Sequence, residues 1–313
     1  MNSQIRCLIT GASGFAGSGV LKYFLAHTDW EFVVIASWRH HGNPMNVPRD
    51  PRVTVITHDL RGPIPEIGEF DYIIHMASES HVDDSIAQSV EIFANNVLIT
   101  LEVLDYARRH KPKNVILFST DEVYGAAHHK EWDILLPSNP YSGSKASQEM
   151  AFIAWWKTFG IPVVITNSNN IVGPNQDVRK VLPKFINLIK NNQEVVIHTS
   201  NGNPGSRYYN PVNNIANALL FIIELGNPTK YPDSDRPDRY ALPGGMELDN
   251  LALAQTLAKL MDKELIYRLA DAETIRPGYD QFYPEVKGRL TELGWVPPYS
   301  LEDELKELVA HYA

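Results

Sequence analysis

The chain has 313 residues, 44% of them hydrophobic and 21% charged, with a formal net charge of -9. This is the composition of an ordinary globular protein with material for one large domain or two unequal ones; it excludes a broad nucleic-acid or acidic-membrane surface but leaves room for a small basic pocket. The single cysteine, Cys7, excludes an internal disulfide, and no run approaches the length of a membrane-spanning helix, so a reducing, cytoplasmic setting is expected.

From the N-terminus the chain alternates two periodicities. Runs rich in Val and Ile occupy 5–10, 31–36, 53–57, 72–77, 114–120 and 161–167, with helix-like stretches over 15–26, 85–110 and 143–159. Strands of this kind, separated by helices, predict a parallel sheet covered on both faces: an α/β, Rossmann-type, doubly wound domain. After residue 168 the rhythm breaks into turn-rich segments. Helices are expected near 179–191, 213–225, 249–261 and 301–312, isolated strands at 194–198, 238–242 and 264–269, and a proline-rich surface loop at 228–237. The expected division assigns 1–168 with 208–245 to a dinucleotide-binding domain, and 169–207 with 246–313 to a smaller α+β substrate region at the C-terminal end.

The first strand runs into "LITGASGFAGSGVL", which sets Gly11, Gly14 and Gly17 between a strand and a helix. Glycines there permit a tight turn and let backbone amides approach a pyrophosphate, while the helix N-terminus adds partial positive charge. Ser13, Phe15 and Ala16 share the turn and, with Ala77 at the end of the fourth strand, are expected around the dinucleotide. Such a triplet can also serve helix–strand packing alone; its strand–turn–helix setting favours the ligand. An NAD site would close the second strand with an acid for the ribose 2′-hydroxyl. Here the strand closes in "IASWRHH", so Ser37 and Arg39 favour the 2′-phosphate of NADP, with Asp59 and Leu60 at the adenine edge.

The fifth strand ends in "STDEVYG", with Asp121 and Glu122 side by side. Such a pair is by default a solvated turn, and only its surroundings argue otherwise. Further on, "YSGSKA" places Tyr141 and Lys145 four apart, on one face of a helix. An ammonium beside a phenol favours the phenolate, so the pair is expected to act as a base near neutral pH. The histidine pairs at 40–41 and 128–129 lack a third ligand at suitable spacing, and no metal is expected. Trp155 and Trp156 read as packing or subunit contact.

Together with "HMASESHVDDSI" (75–86), "SNPYSGSKA" (138–146), "TNSNNIVGP" (166–174) and "RPGYDQFY" (276–283), these segments resemble the extended short-chain dehydrogenase/reductase family, also called the NAD-dependent epimerase/dehydratase family. Within it they most resemble the dTDP-glucose 4,6-dehydratases. The resemblance implies NAD as cofactor, a nucleotide diphosphate sugar as substrate, and a homodimer. It implies that Tyr141 takes the 4-hydroxyl proton while a hydride leaves C4, that Glu122 removes the C5 proton, and that Asp121 protonates the departing 6-hydroxyl. Ser119 and Thr120 would position the 4-hydroxyl and the Tyr141 oxygen, with Ser119, Tyr141 and Lys145 also reaching the cofactor. By the same resemblance Glu79, Ser80 and His81 line the nicotinamide and sugar region, and Asn96 supports it from within. Asn170 would contact the substrate phosphate, Arg207 and Arg276 the diphosphate, and Tyr279 stands where the family has a substrate-side histidine.

The chain departs from the family pattern at Asp84, Ile171, Tyr208 and Tyr279, all on the substrate side. Two rival readings stay open: a 4-epimerase or decarboxylase, which generally lacks the acid at Asp121, and a redox sensor without turnover, which tends to lose the tyrosine–lysine pair.

Overall fold

The computed structural model describes residues 4–39, 42–126, 128–226, 231–232, 234–271, 281–284, 286 and 288–312. The first half runs β1 (Arg6–Thr10), α1 (Phe15–His27), β2 (Glu31–Ala36), β3 (Val53–Thr57), β4 (Tyr72–His75), α2 (Val82–Ala87), α3 (Ser89–His110), β5 (Asn114–Thr120), α4 (Pro140–Phe159) and β6 (Val163–Ser168). There follow β7 (Asn170–Val172), α5 (Val181–Lys190), β8 (Val195–Ser200), β9 (Asn203–Pro204), β10 (Ser206–Pro211), α6 (Val212–Glu224) and β11 (Asp238–Leu242). The chain closes with β12 (Met246–Asp249), α7 (Asn250–Leu260), β13 (Tyr267–Asp271), α8 (Arg289–Glu292) and α9 (Leu301–Tyr312).

Among the described residues, seven strands form a parallel sheet in the order β3-β2-β1-β4-β5-β6-β11. Strand side chains point alternately to its two faces, and both faces are buried. Cys7, Ile9, Phe32, Val34 and Ile116 pack under α1 and α6 with Val20, Phe24, Ile215 and Leu219. Leu8, Val33, Ile35, Val115 and Leu117 pack on the other side, against Ile99, Val103, Leu104 and Phe152 of α3 and α4. The strand order reverses between β1 and β4, so their carboxyl ends splay and open a crevice.

Two helices differ from expectation. The stretch 85–110, expected as one helix, is α2 and α3 joined at Gln88, whose φ and ψ are -128 and 50. Ser85 in α2 is fully buried and its hydroxyl accepts from Tyr141 N at 3.2 Å, so docking onto α4 overrides helix continuity. Helix α4 starts three residues before its expected position because Asn139 caps it: Asn139 Oδ1 accepts from Ser142 N at 2.9 Å and Ser142 Oγ accepts from Asn139 N at 3.2 Å. Pro140 follows as the first helical residue, where no amide is needed. Tyr141 therefore lies in the first turn of α4.

The smaller layer has two three-stranded sheets, β12-β10-β7 and β13-β8-β9, packed with α5, α7 and α9 around Leu182, Ile186, Leu253, Leu257 and Leu305. The strand expected to be isolated at 238–242 is β11, the edge of the main sheet. Strands β7, β9, β10 and β12 lie outside the strand-like runs of the sequence, being short and rich in Asn, Tyr, Pro or acidic residues. Leu290 and Trp295 lie within the stretch expected in the substrate region, yet they pack in the core under α1 and α6.

Candidate active site

A cavity of about 580 Å³ opens where β1, β4, β5 and β6 end. One end of it is main chain. Gly11 has φ +79, and a Cβ built there would lie 2.6 Å from Ala77 N. At Gly17 a Cβ would lie 2.4 Å from Gly11 O, so the turn and α1 touch backbone to backbone. Gly14 caps α1 without a side chain, and Ser13, Gly14, Phe15, Ala16 and Gly17 all line the cavity. This cradle, which side chains would fill, and the helix N-terminus facing it fit the pyrophosphate of a dinucleotide.

At the adenosine end the structure joins residues expected to act apart. Arg39 Nη1 lies 2.9 Å from Asp59 Oδ2, and Arg61 Nη2 lies 2.7 Å from the same oxygen. Two guanidiniums thus meet one carboxylate, all partly exposed, beside Ser37, whose Oγ accepts from Arg39 N at 3.4 Å. Leu60 is buried at the wall.

The opposite end is made of side chains. Thr120 closes β5 and its Oγ1 accepts from Glu122 N at 3.3 Å, so the chain turns at once into a single helical turn over Asp121–Tyr124. That turn sends the adjacent carboxyls different ways. Glu122 lines the cavity, and its Oε2 accepts from Tyr283 OH at 3.4 Å. Asp121 turns into the wall behind Thr120 and Asn169, where its Oδ2 accepts from Asn169 Nδ2 at 2.6 Å. Of the two carboxyls expected to face one ligand, Glu122 thus lines the cavity and Asp121 does not. Burial, reinforced by the charge of Glu122 and opposed by Asn169, Arg207 and Thr120, pushes Asp121 up to about 7.

Tyr141 and Lys145 reach the same end from α4. Lys145 Nζ donates to Phe118 O at 2.7 Å, and burial lowers it to about 7 against the raising charge of Glu149. Burial, with the charges of Glu122 and Asp121, raises Tyr141 above its usual range, while a hydrogen bond with Thr120 lowers it. The expected shift of the phenol toward its ionised form is thus reversed, because desolvation and two nearby carboxyls raise it. Ser119 lines the same end of the cavity. Its hydroxyl donates to Glu149 Oε1 at 2.6 Å rather than to Tyr141.

Asn96 is fully buried and clamps the 79–81 segment: its Oδ1 accepts from Glu79 N at 2.8 Å while its Nδ2 donates to Glu79 O at 3.0 Å and Ser144 Oγ at 2.9 Å. Glu79, Ser80 and His81 line the cavity, with His81 Nε2 3.3 Å from Asp177 Oδ2. Asn170 lines it from the start of β7. Arg207 stacks over Tyr283, 4.6 Å from the ring centre, and donates to Gln281 O at 2.9 Å. Arg276 and Tyr279 lie outside the described residues.

A sequence profile described as the NAD dependent epimerase/dehydratase family matches residues 7–232. The chain belongs to that family. A family member from Dictyostelium discoideum named dTDP-D-glucose 4,6-dehydratase is 32% identical over 281 residues, 82% of this chain and 62% of that protein. Against that relative the chain therefore spans less than two thirds of its length. The dTDP-glucose 4,6-dehydratase of Streptomyces niveus is 29% identical, with 98% of this chain and 93% of that protein covered. Among solved structures, DesIV, a dTDP-glucose 4,6-dehydratase from Streptomyces venezuelae crystallised with NAD, superposes with a TM-score of 0.87 at 29% identity, covering 98% of this chain and 97% of that one.

Beneath the catalytic end, this member of the epimerase/dehydratase family carries a buried ion pair that sequence reasoning missed. Glu149 Oε2 accepts from Arg239 Nη2 at 2.6 Å, with side chains 0% and 1% exposed. Glu149 Oε1 also accepts from Asn167 Nδ2 at 2.7 Å, and that amide donates to Thr120 O at 3.0 Å. A signal for Glu149 existed: it follows Lys145 by four, as Lys145 follows Tyr141, on one helix face. For Arg239 the signal was a guanidinium, next to Asp238, inside a fully buried strand. Asn169, which holds Asp121, gave none.

Proposed function

We propose that this protein is a nucleotide-sugar 4,6-dehydratase that removes water from a nucleoside diphosphate hexose, dTDP-glucose first among candidates, to give the 4-keto-6-deoxy sugar. The observation that carries the reading is the unequal pair at the end of β5: one carboxyl open to the cavity and one buried and raised to about 7, beside Tyr141 and Lys145. Elimination needs a base and an acid at once, and unequal surroundings are how two carboxyls divide those roles.

A bound nicotinamide dinucleotide supplies a hydride acceptor for C4 and later a donor to C6. Tyr141 takes the 4-hydroxyl proton in its phenolate form, which Lys145, held in place by Phe118 O, favours against the burial that opposes it. Glu122, steadied by Tyr283, removes the C5 proton once C4 is a ketone, and later returns one. Asp121, protonated in part at neutral pH, turns from Asn169 toward the sugar and gives its proton to the leaving 6-hydroxyl. Arg207 and Asn170 are assigned to the diphosphate, and the smaller layer to the nucleotide. The division of the chain into 1–168 with 208–245 and 169–207 with 246–313 is kept as our assignment, apart from residues 208–211 of β10, which pair within the smaller layer, and the segment bearing Leu290 and Trp295.

For the cofactor, the two guanidiniums on one carboxylate at Asp59 support NADP over NAD. We also assign a cytoplasmic homodimer, supported by the lone buried Cys7 and by apolar side chains on α3 and α4 that stay exposed, Val90 at 81% and Met150 at 49%. The deciding experiment is incubation of purified protein with a panel of nucleotide sugars, followed by mass measurement. Loss of one water from one member is expected; inversion at C4 without a mass change would instead establish an epimerase.

A further inference from the structure

On the dehydratase reading, one sugar is worked on by two sets of side chains carried on two different elements. Tyr141 and Lys145, assigned to oxidation at C4, sit on α4. Glu122 and Asp121, assigned to elimination across C5 and C6, sit on the short turn Asp121–Tyr124 that follows β5. The ketone made by the first set is what the second set acts on, so the turn must stand in register with the helix. Four residues make too few internal hydrogen bonds to fix such a turn by themselves. Its position has to be set from outside.

The buried Glu149–Arg239 pair grips the turn at both ends. At its entry, Glu149 Oε1 accepts from Ser119 Oγ at 2.6 Å and from Asn167 Nδ2 at 2.7 Å, and the same amide nitrogen donates to Thr120 O at 3.0 Å. At its exit, Arg239 Nη1 donates to Tyr124 OH at 2.5 Å, and that hydroxyl donates in turn to Glu131 O at 2.6 Å. Arg239 Nη2 joins the two grips by donating to Glu149 Oε2 at 2.6 Å. Glu149 lies one helical turn beyond Lys145 and two beyond Tyr141, so the helix that carries the oxidation pair also anchors the elimination turn. Glu149, Arg239 and Tyr124 are all buried, where water does not replace a lost partner. The cavity is lined by Ser119, Thr120 and Glu122 but not by these three.

We propose that Glu149 and Arg239 are a positioning pair for elimination: they lock the Asp121–Tyr124 turn to α4, and Tyr124 is the strut through which Arg239 acts on the turn. Stability alone does not account for the pair, because two well-packed apolar side chains of similar volume often serve a core as well. Apolar side chains, however, offer no acceptor to Ser119 and Asn167 and no donor to Tyr124. The planar guanidinium fork suits the task, with one nitrogen on Glu149 and the other on Tyr124. Released at Tyr124, the turn keeps its carboxyls but loses its register, and a displacement of about 1 Å costs roughly 10²-fold in rate. The loss falls on elimination because the oxidation pair has its own supports: Asn139 caps α4 and Lys145 Nζ donates to Phe118 O at 2.7 Å.

The positioning role rests on the dehydratase reading, and its test separates the two. Tyr124→Phe removes the strut's hydroxyl and strands no charge, since Arg239 Nη1 also donates to Glu131 O at 2.9 Å. Arg239→Lys keeps a cation for Glu149 but has no fork to reach Tyr124 as well. Both variants leave Glu149 in place, so Lys145 keeps the charge beside it. Cofactor-loaded enzyme is mixed rapidly with the nucleotide hexose that the wild type dehydrates; reduced nicotinamide is followed by absorbance and dehydrated sugar by quenched-flow mass measurement. Each variant is expected to form reduced nicotinamide at close to the wild-type rate, to hold it at a higher steady level, and to release dehydrated sugar about ten- to a hundred-fold more slowly, with KM little changed. If Arg239→Lys does not fold, Tyr124→Phe decides alone. Equal losses from oxidation and elimination, or unchanged elimination in Tyr124→Phe, overturn the positioning role and leave the dehydratase reading standing. Wild-type protein that removes water from no nucleotide hexose overturns both.

Discussion

At the glycine-turn end of the cavity the walls are main chain, and close approach excludes side chains: Gly11 faces Ala77 N and Gly17 faces Gly11 O. At the other end, where β5 stops, the walls are ionisable side chains placed by partners far along the chain: Asp121 by Asn169, Ser119 by Glu149, Glu149 by Arg239. The first end is a local motif; the second is a long-range assembly. Damage at the first should act by steric exclusion and be confined to binding. Damage at the second should act through protonation and propagate from residues that never touch a ligand.

The largest effect is expected inside the assembled end. Glu122→Gln removes the proposed C5 base and should cut water loss by about 10²–10⁴, while C4 oxidation continues, seen as reduced-nicotinamide absorbance without a dehydrated product. If oxidation fails as completely as in Tyr141→Phe, the division of labour between the two residues is wrong.

Next comes the foundation. Arg239→Met strands a fully buried Glu149 carboxylate and should destabilise the fold by about 3–5 kcal/mol. Arg239→Met combined with Glu149→Met should recover much of that in urea titrations, since neither charge is then left alone. Additive losses would mean that the pair is not coupled, and the contrast between the two ends would weaken.

Gly17→Ala probes the main-chain end. Its Cβ would lie 2.4 Å from Gly11 O, so the turn must shift. Overpacking costs about 1–3 kcal/mol, or roughly ten- to a hundred-fold in dinucleotide affinity by calorimetry. A folded variant with unchanged affinity would show that the turn serves packing alone.

Arg39→Ala should weaken NADP more than NAD, with an upper limit of about ten- to a hundred-fold because a charged hydrogen bond to phosphate contributes about 1.5–3 kcal/mol. Since Asp59 also engages Arg39 and leaves Arg61 beside it, a loss near the lower bound is expected. Equal losses for the two dinucleotides would refute the NADP assignment.

The smallest effect is a displaced pH profile. Asp121 must carry a proton to act as the acid, so the rate of water loss should fall as pH rises through about 7. Asn169 donates to Asp121 and holds it down from where burial alone would put it. Asn169→Ala should therefore move that limb to higher pH. Movement to lower pH would show that Asn169 does not favour the ionised carboxyl.

The amino-acid sequence by itself determined the doubly wound sheet, because two-sided burial demands unbroken Val and Ile runs and helices demand their own period. It also determined the glycine turn and the tyrosine–lysine spacing, since both are local: a few consecutive residues carry the geometry. Only the tertiary structure decided that Asp121 and Glu122 face different ways, because that depends on the turn capped by Thr120 and on Asn169, 48 residues on. Only it paired Arg39 with Asp59, returned Leu290 and Trp295 to the first core, and set Arg239 beneath the site. Burial, which fixes both the protonation of these groups and their partners, is a property of what surrounds a residue in space, and adjacent letters in the chain do not record it.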